Sequence, residues 1–164
     1  MSYFRALIFC LPIALVSSPV SAQSASVAFG SVEADPSLPV EVTSDTLEVN
    51  QADGTARFVG NVLVVQGVMR LSADMVFVIN KAEKKGIERL EAEGNVVLVN
   101  GPDVAESERA EYTIDSGIVV MNDNVLLVQE NSTIASNHMV VNLNSGTAQM
   151  TGQVKTILNS GDGN

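Results

Sequence analysis

From Val40 onward, the chain consists of short runs in which apolar and polar residues alternate, and glycine, asparagine or aspartate separates one run from the next. Alternation with a period of two predicts half-buried β-strands, and the separating residues are those that favour turns. Valine is the main apolar residue, and β-branched side chains suit strands. No window shows sustained helical periodicity. The pattern therefore predicts an all-β fold.

One short motif recurs along this region, with intervals of 34, 29 and 29 residues between its Asn or Gln positions. Its four copies are Gly60-Asn61, Gly94-Asn95, Asp123-Asn124 and Gly152-Gln153. A second landmark precedes each copy, at Ser44-Asp45, Ala73-Asp74, Ala110-Glu111 and Asn137-His138. A glycine turn lies between the two, at Gly54, Gly86, Gly117 and Gly146. One repeat is thus strand, turn, strand, corner, strand, because Gly and Asn tolerate the positive φ that a corner requires.

The parity of the strands predicts which side chains face a common interior. Polar residues such as Arg57, Asp74 and Glu111 take one phase, and apolar residues take the other. Stacked repeats would align the apolar phase into columns that face one interior. The residues predicted to face inward are Val40, Val42, Phe58, Val62, Val64, Met75, Phe77, Leu90, Tyr112, Ile114, Val119, Met121, Val125, Leu127, Met139 and Val141.

Two stretches do not follow this parity simply. The valine-rich runs after the corners are apolar on both phases, and their inward phase is assigned only because Lys155 marks the outward phase of the last copy. In the first copy, Leu47 and Val49 are out of phase with the later copies. That slip predicts a bulge near Asp45.

Residues 1–22 have the features of a secretory signal peptide. Arg5 precedes an apolar run at 6–16, polar residues at 17–19 end it, and Val20-Ser21-Ala22 offers small residues to a peptidase. The run is too short for a membrane span, which takes about 20 residues, so a retained anchor is the less favoured alternative. Cys10 lies within the run rather than after it, which argues against a lipoprotein signal. We expect cleavage after Ala22, export to the periplasm, a flexible segment at 23–39 and a disordered tail at 159–164.

The composition of the mature chain narrows its chemistry. It loses Arg5 but none of the 19 acidic residues, so its net charge changes from −10 to about −11, and it would repel nucleic acid. It has no cysteine and His138 is its only histidine, so the usual transition-metal ligands are scarce, and no Gly-x-Ser-x-Gly turn supports a Ser-His-Asp site around His138. The pairs in Glu91-Ala92-Glu93 and Glu106-Ser107-Glu108 could hold a divalent cation, although a solvated face is favoured. The sequence therefore predicts no catalytic residues, no metal site, no cofactor and no enzyme.

The chain resembles the LptA (OstA-like) family of periplasmic lipopolysaccharide-transport proteins over about residues 40–158. The stretches that carry the resemblance are VEVTSD at 40–45, GNVLVVQG at 60–67, LSADMV at 71–76 and AEYTI at 110–114. The resemblance implies a single elongated, slightly twisted, open β-jelly roll at 40–158. It implies lipopolysaccharide as cargo, with the acyl chains of lipid A in a groove lined by the inward residues. It further implies head-to-tail self-association, and partners with similar domains in an inner-membrane complex and an outer-membrane translocon.

The residues fit such a groove, because burying each methylene of an acyl chain is worth about 0.8 kcal/mol. An open jelly roll also leaves edge strands, expected near Val40–Thr43 and Thr151–Leu158, that could pair end to end. Three other readings stay open at this point. They are a secreted structural β-solenoid with a closed and packed interior, a carbohydrate-active β-helix enzyme, which the lack of tryptophan disfavours, and a membrane-anchored partner of the same pathway.

Overall fold

The computed structural model describes residues 24–30, 35, 37–50, 52, 54–82 and 86–159, and the predicted signal peptide at 1–22 lies outside them. This described part of the chain is all-β, as predicted. Its eleven strands are β1 (Ser24–Ala28), β2 (Glu41–Thr43), β3 (Thr46–Asn50), β4 (Thr55–Gln66), β5 (Met69–Asn80), β6 (Ile87–Asn100), β7 (Asp103–Thr113), β8 (Ile118–Gln129), β9 (Ser132–Asn142), β10 (Thr147–Thr151) and β11 (Lys155–Leu158).

All the strands belong to one antiparallel sheet with the order β1-β10-β9-β8-β7-β6-β5-β4-β2. In addition, β3 pairs with β4 beside β2, and β11 pairs with β9 beside β10. Successive long strands are joined by hairpins, so the sheet grows by one strand at a time along the sequence. Such local pairing follows from the repeat, because each copy can bury its apolar phase only against its neighbours.

The long strands bend at the predicted Gly-Asn corners, where the pairing register shifts. The backbone there takes positive φ, with values of 46° at Asn61, 47° at Asn95 and 52° at Asn124. Each of these asparagines donates from Nδ2 to a carboxylate that lies 16 or 21 residues earlier in the chain. The partners are Asp45 for Asn61 (2.8 Å), Asp74 for Asn95 (2.7 Å) and Glu108 for Asn124 (3.1 Å).

These hydrogen bonds correct one landmark of the sequence repeat. The third copy pairs its corner with Glu108, and not with Ala110-Glu111, which lies beyond the corner. Ser107-Glu108 and Ala110-Glu111 share the same pattern of a small residue before an acid, so the sequence alone could not separate them. In place of the bulge predicted near Asp45, strand pairing breaks between β2 and β3, and the Asp45 N–H donates to the Gly60 carbonyl.

The corners divide the sheet into two halves that face each other. The first half-sheet comprises β1, β3, β10 and residues 55–59, 75–80, 87–93, 109–113, 118–122 and 138–142. The second half-sheet comprises β2, β11 and residues 62–66, 69–72, 96–100, 103–107, 125–129 and 132–136. Tyr112 and Gln66 lie in different halves and three strands apart, yet their side chains are hydrogen-bonded at 2.5 Å. That contact requires the two halves to fold over a common interior.

Opposite the line of corners, the hairpin turns of the two half-sheets form a seam. The second half-sheet contributes the turns at 67–68, 101–102 and 130–131. The first contributes those at 114–117 and 143–146, together with the end of the β5–β6 hairpin, where the Lys81 N–H donates to the Gly86 carbonyl. The result is a folded-over jelly roll with an apolar interior. One of its long sides is closed only by the hairpin turns and by chain segments that cross between them.

The terminal segments differ from the expectation. Residues 23–39 were expected to be flexible, but Ser24–Ala28 forms β1 and pairs with β10 over five residues. Alternating small and apolar residues suffice for this strand because an unpaired edge is available to it. At the other end, the N–H of Asn159 donates to the Asn131 carbonyl, while the rest of the predicted tail at 160–164 lies outside the described residues.

The two edge predictions have different outcomes. The first edge, predicted near Val40–Thr43, is confirmed, since β2 pairs only with β4 among the described strands, and β3 is a further edge beside it. The last edge is confirmed for β11, whose described neighbour is β9, whereas β10 is covered by β1. No helix in the described part of the chain has the length and apolar character that crossing a membrane would require.

Candidate functional site

The interior between the half-sheets is the candidate site, and the strand parity predicted most of it correctly. Of the sixteen residues expected to face inward, all except Met75 and Phe77 are in the buried core or pack against it. The uncertain valine-rich runs are resolved in the predicted phase: Val62, Val64, Val125 and Leu127 are at most 1% exposed.

Met75 and Phe77 face outward, which corrects the prediction for β5. The Arg57 guanidinium lies over the Phe77 ring at 5.8 Å, and its Nε donates to the Met75 sulfur at 3.0 Å. The inward residues of this segment are Val76 and Val78. Residues 75–79 are apolar on both phases, and the register shift near Asp74 reverses the parity counted from that landmark.

Several core residues were not predicted at all. Val76 and Val78 were missed because the wrong phase of β5 was predicted to face inward. Phe29 was missed because it lies in a segment that was expected to be flexible. Val96 and Leu98 continue the inward column of β6, but they lie in a run that is apolar on both phases. The missed residues that are at most 1% exposed include Phe29, Met69, Leu71, Val76, Val96, Leu98 and Leu143.

The interior is filled by these side chains over most of its length and is exposed at one end. Leu90, Val119 and Met121 are fully buried in the middle. At the end formed by β3, Leu47 pairs with Phe58 and Val49 pairs with Ala56, so both face the inner side. They are nevertheless 54% and 64% exposed. The apolar inner face therefore reaches solvent beside β3.

A few polar groups lie within this apolar interior. The Tyr112 hydroxyl donates to Gln66 Oε1, and Gln66 Nε2 donates to the Leu38 carbonyl at 3.0 Å. Burial raises the pKa of Tyr112 to about 12, because the phenolate would lose its hydration. Asn100 is fully buried, and neither its Nδ2 nor its Oδ1 has a hydrogen-bond partner within the described structure.

Ion pairs on the outer face engage some of its charged residues, and the face as a whole stays acidic. Arg57 contacts Glu48, Arg89 contacts Glu88 and Glu91, Lys81 contacts Asp115, and Arg109 contacts Asp123. Among the described residues, no group of three or more His, Asp or Glu side chains is placed to hold a metal ion.

The acidic pairs and the histidine take ordinary surface roles. Glu91 accepts from Arg89 Nε at 2.8 Å, and Glu108 accepts from the corner residue Asn124. His138 lies on the outer phase and its Nδ1 is 2.8 Å from Asn122 Oδ1. These three side chains therefore have hydrogen-bond partners on the outer face.

The fold and the interior define a class: an open β-jelly roll with a charged outer face and an apolar inner face. The family described as "LptA/(LptD N-terminal domain) LPS transport protein" matches residues 41–147. The chain belongs to this family, which is one of lipopolysaccharide-transport proteins and not of enzymes.

Relatives agree with that membership, and a solved structure has a similar fold. The chain is 27% identical to the lipopolysaccharide export system protein LptA of Escherichia coli K12, over 68% of this chain and 63% of LptA. It is 26% identical to an uncharacterized protein of Rhizobium meliloti, over 85% of this chain and 80% of that protein. The fold resembles the crystal structure of LptH, described as the LptA homologous periplasmic component of the lipopolysaccharide transport device of Pseudomonas aeruginosa. That match has a TM-score of 0.68 and 20% identity, and covers 77% of this chain and 99% of LptH.

Proposed function

We propose that the mature chain is a periplasmic, non-catalytic protein that binds lipopolysaccharide and carries it from the inner towards the outer membrane. The acyl chains of lipid A lie between the half-sheets. The observation that carries this proposal is a continuous apolar inner face that opens to solvent at Leu47 and Val49, in a member of a lipopolysaccharide-transport family. The description of LptH as a periplasmic component supports the location.

The distribution of charge supports a grip on the acyl chains rather than on the head group. Each buried methylene contributes about 0.8 kcal/mol, so several chains supply high affinity without polar recognition. The acidic outer face repels phosphates, which keeps the head group near solvent, where divalent cations can screen it.

Photo-crosslinking tests the groove with controls matched by strand phase. A photoreactive residue at Phe58 or Met121, on the inner face, captures lipopolysaccharide. The same residue at the neighbouring outer positions Arg57 or Val120 captures little. Equal capture from both phases would contradict the groove. Mass spectrometry of the purified mature protein for bound lipid A is an independent check.

The location rests on the predicted signal peptide at 1–22. N-terminal sequencing of the exported protein is expected to begin at Gln23, and the protein is expected in the soluble periplasmic fraction. A mature form that retains Met1 and fractionates with the inner membrane would contradict export with cleavage after Ala22.

Assembly by strand addition is part of the proposal, since β2 and β3 at one end and β11 at the other have unpaired edges among the described strands. Pairing these edges head to tail gives filaments of variable length. It also gives a way to dock on similar domains of an inner-membrane complex and an outer-membrane translocon. Ile157→Pro removes a backbone donor from β11 and is expected to shorten concentration-dependent oligomers in light scattering. An unchanged size distribution would argue against this edge.

A structural β-solenoid without cargo is the second candidate, because side chains of the protein itself fill the middle of the interior. Such a scaffold does not need an interior that opens. The mass spectrometry and crosslinking experiments separate the two, since a scaffold captures lipid from neither strand phase.

A further inference from the structure

A short N-terminal segment crosses the seam between the two half-sheets. On the side of the first half-sheet, the Phe29 N–H donates to the Gly146 carbonyl at 2.9 Å. On the side of the second, the Gly30 N–H donates to Asp103 Oδ2 at 2.7 Å. Gln129 Nε2 donates to the Ala28 carbonyl at 2.9 Å. Residues 28–30 therefore bridge the two rows of turns and close the seam at this point.

The same segment fills part of the interior. Phe29 is fully buried, although it comes from outside the repeats. It is attached through few backbone hydrogen bonds, because only β1 and this crossing hold it. An apolar side chain on such a short segment can be replaced by another apolar group while the strand pairings from β2 and β3 through β9 to β11 stay intact.

Directly beneath the crossing lies Asn100, the last inward residue of β6. A Cβ atom on Gly30, where φ is 79°, would clash with the Asn100 amide, so glycine allows the backbone to pass this close. Asn100 is fully buried with no partner for its amide within the described structure. An unsatisfied buried polar group costs about 1–3 kcal/mol and calls for an explanation.

We propose that Phe29 and Gly30 form a removable cover over a ligand subsite, in which Asn100 hydrogen-bonds a polar group at the head-group end of an acyl chain. The inference rests on the proposed function, because it takes an acyl chain as the occupant of the interior. When the cover leaves, the chain replaces the Phe29 ring, and the polar group at its end meets the Asn100 amide at the seam.

The chemistry of the subsite restricts the polar group. The Asn100 amide presents both donor and acceptor atoms, so its best match both donates and accepts, as a hydroxyl or a secondary amide does. An ester only accepts. Asp103, which is 7% exposed and loses its Gly30 donor when the cover leaves, disfavours a carboxylate or phosphate nearby. The subsite thus favours hydroxylated or amide-linked acyl chains over plain ester lipids.

A matched pair of neutral probes tests the subsite: methyl tetradecanoate and methyl 3-hydroxytetradecanoate, competing with a fluorescent apolar dye for the mature protein. One added hydrogen bond of about 0.5–1.5 kcal/mol gives the hydroxylated ester about two- to tenfold tighter binding. Asn100→Leu is expected to reduce this ratio to one. Leu98→Met, at the preceding inward position, is the control and keeps the ratio.

A reversible lock tests the cover. Ser26 and Gln149 are directly opposite on β1 and β10, and both are exposed. The mature chain has no other cysteine, so Ser26→Cys with Gln149→Cys forms one cross-strand disulfide. The oxidised form is expected to bind both esters at least about tenfold more weakly, and reduction is expected to restore binding. A disulfide between Val120→Cys and Val140→Cys, on β8 and β9, is the control that leaves binding intact.

The outcomes separate the two proposals. Failure of the unmodified protein to bind either ester or lipopolysaccharide would overturn the proposed function. Binding with no preference for the hydroxyl, or with a preference that survives Asn100→Leu, would overturn the subsite while the function stands. Binding that is indifferent to the oxidised lock would overturn the cover.

Discussion

At the N-terminal end of the jelly roll, Leu47 and Val49 point inward from β3 and remain 54% and 64% exposed, whereas at the C-terminal end Ala148 and Met150 point inward from β10 and are buried. Both pairs lie on terminal strands and continue the same apolar columns. The difference comes from β1, since Ala25 pairs with Met150 and Val27 with Ala148.

The repeats form the long strands and their apolar columns, but a cap for the strand at each end must come from another segment. A stack of repeats ends in an uncovered apolar strand at each end, and a terminal strand needs a cap. In this chain the N-terminal strand β1 pairs with β10 and caps it, and Phe29, which follows β1, lies across the seam. Residues 37–40, which run back to β2, leave β3 without an equivalent partner among the described strands. Under the proposed function, that end receives its partner from another molecule.

The largest expected effect comes from placing the same charge at both ends. Met150→Asp buries a carboxylate beside apolar side chains and is expected to reduce the free energy of unfolding by at least about 4 kcal/mol. Val49→Asp places the carboxylate at an exposed inner position and is expected to cost less than about 1 kcal/mol. Urea denaturation of the mature protein measures both. Equal losses would mean that the two ends are capped alike.

The second effect concerns the crossing. Phe29→Ala removes a fully buried ring and is expected to cost about 3 kcal/mol. Leu38→Ala, on the same N-terminal segment but 41% exposed, is its control and is expected to cost about 1 kcal/mol or less. Thermal unfolding compares the two variants. A loss for Phe29→Ala no larger than that of the control would show that the crossing is not part of the folded core.

The sequence predicted the corners and the inward columns because each has a local cause. Glycine and asparagine are needed at positive φ, and a period of two fixes the face of every residue once one residue is placed. The phase of β5 could not be obtained this way. Met75 to Ile79 are apolar throughout, and only the interstrand register shows that Arg57 covers Met75 and Phe77 from outside.

The N-terminal cap was missed for a different reason. Ser24–Ala28 has small side chains and no long apolar run, so its own propensity for a strand is weak. It forms a strand because β10 offers an edge, and that edge exists only after the repeats have folded. The burial of Asn100 likewise could not be predicted from its neighbours in the sequence, since it depends on Gly30, 70 residues earlier in the chain.

A third prediction concerns the hydrogen bond that joins the half-sheets. Tyr112→Phe leaves Gln66 Oε1 without this donor and is expected to cost about 1.5 kcal/mol at neutral pH. The pKa of Tyr112 is about 12 in the folded protein and near 10 when unfolded. Between these values only the unfolded chain releases the proton, so stability falls as pH rises from 10 to 12.

Absorbance at 295 nm checks this directly. Tyr3 lies in the predicted signal peptide, so the phenolate signal of the mature protein comes from Tyr112 alone. We expect no phenolate until the pH approaches 12 or the protein unfolds, and Tyr112→Phe is expected to weaken the loss of stability above pH 10. Titration of the folded protein near pH 10 would show that the phenol is in contact with solvent.

The smallest expected effect is a gain, and it concerns the residue beneath the crossing. Asn100→Leu replaces a buried amide that has no partner within the described structure with an apolar side chain of similar size. Removing an unsatisfied polar group is expected to raise the free energy of unfolding by about 1 kcal/mol. Asn142→Leu is the matched control, since the Asn142 Oδ1 accepts from the N–H groups of Asn144 and Ser145, and this variant is expected to lose about 1 kcal/mol.

Urea denaturation of both variants in the absence of lipid gives the sign of each change. Opposite signs mean that the fold retains an amide at the closed seam against its own stability, as a residue kept for a ligand would be. A loss of stability for Asn100→Leu would mean that the amide already has a partner in the closed protein, and the reason for assigning it to a ligand would disappear.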